Sequence, residues 1–159
     1  MATPPAESGW PSDASHAVQL LRISCDVSEL GRVRDAITDF LGDTFDRIDT
    51  NRIILSVDEA LANIVEHAYG KHPNESDVID LLMERFADRV QFSLEDRGPV
   101  FDPTHLPKPN LEEHAKNTNE GGLGVFLYMT LMDGARHETR EGGGNRLTLT
   151  KKIPTAGGA

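Results

Sequence analysis

The stretch Ser56–Gly70, SVDEALANIVEHAYG, is where the fold of this chain is decided. With Glu59 set at zero and ~100° per residue, Asn63 falls at about 40° and Glu66 at about −20°, whereas Val57, Leu61, Ile64 and Ala68 gather near about 180°. The pattern predicts an amphipathic helix from near Thr50 to about Tyr69, closed by Gly70. Glu59 and Asn63 stand opposite its core stripe, where carboxylates are ordinarily solvated. The small Ala60 and Ala62 beside them leave room that long charged side chains usually fill. Taken alone, the helix leaves two readings open: a wet outer face, or the wall of a site.

Working outward, Ala17 to Cys25 (AVQLLRISC) is apolar and partly alternating, which predicts a first strand. In DVSELGRVRDAITDFL, Leu30, Val33, Ile37, Phe40 and Leu41 recur at helical spacing, with Ser28 or Asp26 as the candidate cap. After the Ser56–Gly70 helix, DVIDLLMER and DRVQFSLED read as two strands turning at Ala87-Asp88, with Val90, Phe92 and Leu94 inward. Arg97 to Gly122 carries four prolines and a polar tract, a length of loop that is commonly a functional lid or a disordered segment. GLGVFLYMTLMDG follows as a glycine-opened helix. ARHETREGGGNRLTLTKKI then reads as a hairpin with Leu147 and Leu149 inward. Clustered strands with segregated helices predict an α+β, two-layer sandwich: a mixed, mostly antiparallel sheet with helices on one face.

The bulk composition narrows the function. The 159 residues suit one domain with its own core. A single cysteine, Cys25, excludes an intramolecular disulfide framework and a multi-cysteine zinc site. A formal net charge of −10 argues against a general grip on nucleic acid or on an anionic membrane. Residues 1–15 and 154–159 are rich in small residues and proline, and are expected to be flexible tails flanking a domain at 16–153. With no secretion signal and no membrane-length apolar run, a cytoplasmic location is expected.

Two further segments bear on the open question of the helix. Asp96 ends a strand and Gly98 follows it, where a backbone can come close to a bound group. EGGLGVFL sets Gly121, Gly122 and Gly124 at a helix start, where free amide N–H groups and the positive dipole end suit phosphate. In this order, Glu-x-x-x-Asn on a helix, Asp-x-Gly at a strand end and Gly-Gly-Leu-Gly at a helix start resemble the N, G1 and G2 boxes of the GHKL ATPase superfamily, the Bergerat fold. DEALANIVEHAYG and EGGLGVFLYMTLMD are most similar to the RsbW-type anti-sigma-factor serine/threonine protein kinases, and the resemblance covers residues 17 to 153.

That resemblance implies roles residue by residue. Glu59 would be the general base toward an incoming hydroxyl, and Asn63 would coordinate the Mg²⁺ that bridges the phosphates of ATP. Asp96 would accept from the adenine amino group, with Gly98 letting the base approach. Gly121, Gly122, Leu123 and Gly124 would line the triphosphate, and residues 103–120 would form the lid, with Lys116 or Lys108 as candidate phosphate contacts. The family's last-strand box, frequently Gly-Thr, reads GNRLTLTKK here, leaving Thr148 as the candidate adenine contact. His67 is assigned a structural role, a hydrogen bond to a neighbouring strand or helix. The resemblance implies a partner-switching kinase that phosphorylates a STAS-domain anti-sigma-factor antagonist, holds a sigma factor or another regulator in the alternative complex, and forms a homodimer, without binding nucleic acid or membrane. The other reading is a non-catalytic, nucleotide-gated switch acting on a sigma factor or a phosphatase.

Overall fold

The computed structural model describes residues 17–67, 77–105 and 123–155. Strand β1 (Ala17–Ser24) leads through a 3₁₀ turn (Val27–Glu29) into helix α1 (Leu30–Leu41), and helix α2 (Arg47–His67) follows. Strands β2 (Val78–Arg85) and β3 (Arg89–Asp96), a 3₁₀ turn (Pro103–His105), helix α3 (Leu123–Leu131) and strands β4 (Gly134–Thr139) and β5 (Asn145–Lys152) complete the order. The residues expected to form the N-terminal tail and most of the lid, together with Gly70, Lys108, Lys116, Gly121 and Gly122, lie outside the described residues. Among the described residues no helix is long and apolar enough to cross a membrane.

Capping chemistry sets the helix starts. Asp46 Oδ1 accepts the Asp49 backbone N–H at 2.7 Å, so α2 begins at Arg47 rather than near Thr50. Asp26 Oδ1 accepts the Ser28 N–H at 3.0 Å, which caps the 3₁₀ turn; α1 itself starts after Glu29 without a side-chain cap. Val33, Ile37 and Leu41 on α1, and Ile53, Val57, Ala60 and Leu61 on α2, are buried at the helical spacing of one face. Between the two helices, Arg34 Nε donates to Asp58 Oδ2 at 2.7 Å.

The sheet runs in the order β1-β2-β3-β5-β4. All four pairings are antiparallel, so the parallel component expected of a mixed sheet is missing from the described strands. The registers Leu81↔Leu94, Phe92↔Leu149 and Ala135↔Leu149 stack apolar residues of every inner strand on one face. This face meets the helices and forms the core with Ile79, Leu81, Met83, Phe92, Leu94, Leu147 and Leu149. By alternation the opposite face carries the ion pairs Arg22–Asp80 and Arg146–Glu95, and there the Ser93 and Thr148 hydroxyls bond at 3.1 Å. The same alternation carries the inner face to the sheet's rim, where Asp96 pairs with Asn145.

The β4–β5 turn holds that rim in place. Gly142, Gly143 and Gly144 all have positive φ, at 85°, 105° and 104°. At Gly144 a Cβ would also run into the Asp96 carbonyl oxygen and lie 2.8 Å from Arg97 Cα, whereas at Gly142 it would meet nothing within 4 Å. Gly144→Ala is therefore expected to lower stability by more than about 2 kcal/mol, and Gly142→Ala by only about 1 kcal/mol. Urea unfolding midpoints of the two variants check this, and equal losses would mean that the close approach to β3 is unimportant.

Candidate functional site

The inner face ends in a cavity walled by three elements. Helix α2 supplies Ala60, Asn63, Ile64 and His67, α3 supplies Tyr128, and the sheet rim supplies Asp96, His137, Asn145 and Leu147. Pro99, Phe101 and Pro103, on the chain leaving β3, cover the remaining side. The enclosed volume is ≈ 30 Å³. That is room for a water or two, short of the several hundred Å³ of ordinary ligand pockets. The His67 and Phe101 rings, both lining the cavity, stack with centroids 5.1 Å apart and planes 26° from parallel. His67 thus makes a ring contact rather than the hydrogen bond expected of it.

Asn63 and Asp96, 33 positions apart in sequence, line this one cavity. Asp96 is 2 % exposed, and its Oδ1 accepts from the Gly98 N–H at 2.8 Å and from Asn145 Nδ2 at 3.0 Å. Gly98 therefore orients the carboxylate. Both hydrogen bonds made to Asp96 by described residues fall on Oδ1, so Oδ2 remains for an outside donor. Glu59, half-buried, packs one turn before Asn63 against the start of α3, where a Cβ on Gly124 would overlap its carboxylate. A Cβ there would require the Glu59 carboxylate to shift. Leu123 is the first residue of α3.

Thr148 is not brought to the cavity. Because Leu147 and Leu149 face the core, alternation turns Thr148 to the other side of the sheet, where it bonds Ser93. The residue that takes the inward place is Asn145, and its neighbour His137 comes with it. Sequence reasoning missed both, although inward Leu147 already implied an inward Asn145 two residues earlier. Tyr128 and Phe101 were missed as well, since each reads as an ordinary apolar residue of its segment.

Two buried polar atoms at the cavity, Asn63 Nδ2 and the Tyr128 hydroxyl, have no hydrogen-bond partner among the described residues. Burial pushes the Tyr128 phenol well above its ordinary value; the nearby Asn63 amide pulls slightly the other way, although the two do not meet in hydrogen-bond geometry, and the Asp102 charge adds to the rise. No group of three or more His, Cys, Asp or Glu among the described residues could cage a metal ion. A magnesium ion carried by phosphates needs only one or two protein oxygens, which Asn63, with its side chain at the cavity, is suited to supply.

An antiparallel sheet backed by helices, with a carboxylate at the rim of its inner face and a glycine-started helix beside a Glu-x-x-x-Asn helix, defines a nucleotide-binding domain class. The profile of the family described as "Histidine kinase-like ATPase domain" matches residues 23–151, and the chain belongs to that family. It is similar to the serine-protein kinase RsbW of Staphylococcus epidermidis, 40% identical over 96 residues. The corresponding kinase of Staphylococcus aureus strain MSSA476 is 37% identical over 97 residues. Each match covers 58% of this chain and 58% of the relative, so the chain spans little more than half the length of the curated relatives it matches. Among solved structures, that of the RsbU and RsbW domains of Rv1364c from Mycobacterium tuberculosis superposes with a TM-score of 0.56 at 20% identity, over 86% of this chain and 32% of that one. At that identity the likeness is one of fold.

Replacing Tyr128 by Phe removes an unpartnered hydroxyl, so the ligand-free protein is expected to be unchanged in stability or up to about 1 kcal/mol more stable. The folded phenol holds its proton above the unfolded value of 10.0. Its contribution is thus complete below that pH and is lost as pH rises toward the folded pKa, because the unfolded chain releases the proton first. Tyr128→Phe should therefore lose less stability than the parent between about pH 8 and about pH 11 in urea unfolding; parallel losses would mean that the hydroxyl is solvated.

Proposed function

We propose that this domain binds ATP with Mg²⁺ and transfers the γ-phosphoryl group to a serine or threonine hydroxyl of a partner protein. The observation that carries the reading is the convergence of Asn63 and Asp96 on one cavity, with Glu59 packed against the glycine start of α3. The names of the staphylococcal relatives, serine-protein kinases, support the reaction class.

Asp96 Oδ2 accepts the 6-amino group of adenine; guanine lacks an amino group there and would leave a buried acceptor unpaired. The amides at the start of α3 face phosphate, and Asn63 lends its side-chain oxygen to the cation. Bound magnesium would neutralise phosphate charge. The partner hydroxyl oxygen attacks the γ-phosphorus, the bond from that phosphorus to the β-phosphate oxygen breaks, ADP leaves, and the hydroxyl proton passes to the Glu59 carboxylate. Catalysis then rests on positioning and charge.

The resemblance extends the reading to partners: a STAS-domain anti-sigma-factor antagonist as phosphoacceptor, a sigma factor or another regulator in the alternative complex, a second copy of the chain as dimer partner, and the cytoplasm as the setting. Incubation with Mg-ATP and a STAS-domain protein encoded nearby should yield phosphoserine or phosphothreonine detectable by mass spectrometry. Glu59→Ala is expected to keep nucleotide binding and lose about 10²-fold or more in transfer, the range of general-base contributions. Asp96→Asn should weaken nucleotide binding itself by about tenfold or more, as expected for a hydrogen bond to a charged group. Nucleotide binding with no transfer to any such protein would point instead to the non-catalytic switch, and unaltered binding by Asp96→Asn would exclude the assigned pocket.

A further inference from the structure

Asn145 stands at the centre of the cavity's polar network. It is 6 % exposed, and it heads β5 directly across from Asp96. Its Nδ2 donates to Asp96 Oδ1 at 3.0 Å and to the Pro99 carbonyl at 2.9 Å. Its Oδ1 accepts from the Phe101 N–H at 2.9 Å and lies 2.7 Å from His137 Nε2. An amide has two donors and two acceptor lone pairs, and all four are used. Because Nδ2 faces two acceptors, the orientation of the amide is fixed, and His137 must carry its proton on Nε2. His137 Nδ1 in turn lies 3.7 Å from Asp102 Oδ2, on the same covering chain as Phe101.

We infer that Asn145 is the positioning residue for base recognition: it fixes the plane in which the Asp96 carboxylate offers its second oxygen to the ligand and where the covering chain Pro99–Phe101 sits over it. The inference rests on the ATP reading above and names a residue whose work is done through Asp96. The reason is torsional. The terminal torsion of an aspartate is broad and roughly two-fold, so a carboxylate held by one donor turns readily. The Gly98 N–H alone is such a single donor. With Asn145 as the second donor on the same oxygen, the torsion is held, Oδ1 is pinned and Oδ2 is left to an outside donor. An accepted hydrogen bond is worth its full value only where the acceptor is already oriented.

The test compares Mg-ATP with the magnesium complex of purine riboside triphosphate, which differs by lacking the 6-amino group, using competition calorimetry on the full chain. The unaltered protein is expected to prefer ATP by about tenfold or more, as for a hydrogen bond to a charged group. In Asn145→Ala, and in the equal-sized Asn145→Asp, which sets an oxygen against Asp96 Oδ1, the preference should fall to within about threefold, the loss expected when an acceptor is no longer oriented. The preference is a ratio within one variant, so it does not depend on the fraction of the sample that folds. Asn145→Ala should weaken ATP by more than it weakens the purine analogue, because both lose the held covering chain but only ATP uses the oriented carboxylate. A preference retained in both variants overturns the role of Asn145 and leaves the ATP reading standing. Equal weakening of both nucleotides with the preference intact assigns Asn145 to wall structure alone, and also overturns the inference. Absence of any preference in the unaltered protein overturns the base reading itself, and Asn145 with it.

Discussion

The register between β3 and β5, which sets Asp96 opposite Asn145, is the constraint on which the rest of the site depends. A slip of one residue would exchange the two faces of a strand. Either Phe92 and Leu94 would leave the core and take Asp96 with them, or Leu147 and Leu149 would leave it and take Asn145. Burial of those four side chains, at roughly 2 kcal/mol each, therefore also holds the polar pair in place. The site is an extension of the core's inner face to its polar end, and it inherits the precision of the packing behind it.

The second fixed relation lies between helices. α2 and α3 approach closely enough that Glu59 occupies the space where a side chain on Gly124 would stand. This couples a residue in the middle of a long helix to the first turn of another. Phe101 at the mouth of the cavity is 36% exposed, and among the described residues a ring stack and one backbone hydrogen bond to Asn145 hold it. Rigid walls of sheet and helix meet a lighter cover made of the chain leaving β3, which is where a contracted cavity of ≈ 30 Å³ has scope to widen.

Much of the architecture was legible because it rests on periodicity. Val33, Ile37 and Leu41, and Phe92, Leu94, Leu147 and Leu149, carry their spacing openly, and the helix and strand order followed from it. Helix starts were less legible, because a cap is a single side chain: Asp46 moved the start of α2 by one turn, and nothing periodic marks it. Pairing direction was also hidden, as alternation reads the same in parallel and antiparallel strands. Glu59, Asn63 and Asp96 were singled out through their grouping, and the fold brings Asn63 and Asp96 to one cavity with Glu59 a turn away on α2. Thr148 was chosen for its residue type against the alternation that its leucine neighbours impose. Asn145, which the same alternation turns inward, was passed over because asparagine beside a glycine turn reads as turn chemistry. Tyr128 was hidden for the opposite reason, since its ring fits the apolar stripe and only its hydroxyl betrays the cavity.

The ligand-free cavity is unevenly satisfied. Asn145 has every donor and acceptor filled, whereas Asn63 Nδ2 and the Tyr128 hydroxyl have no partner among the described residues, and all three residues line the same cavity. An unpartnered buried polar group costs about 1–3 kcal/mol. Where no water meets them, that cost falls on the α2 and α3 walls, opposite the sheet rim where the network is complete. The division has a consequence for binding. The rim is preorganised and gains little from a ligand beyond the one free oxygen of Asp96, while the helical walls gain whatever hydrogen bonds a ligand or its waters bring to Asn63 and Tyr128. A ligand or bound water that hydrogen-bonded both helical groups would remove that cost.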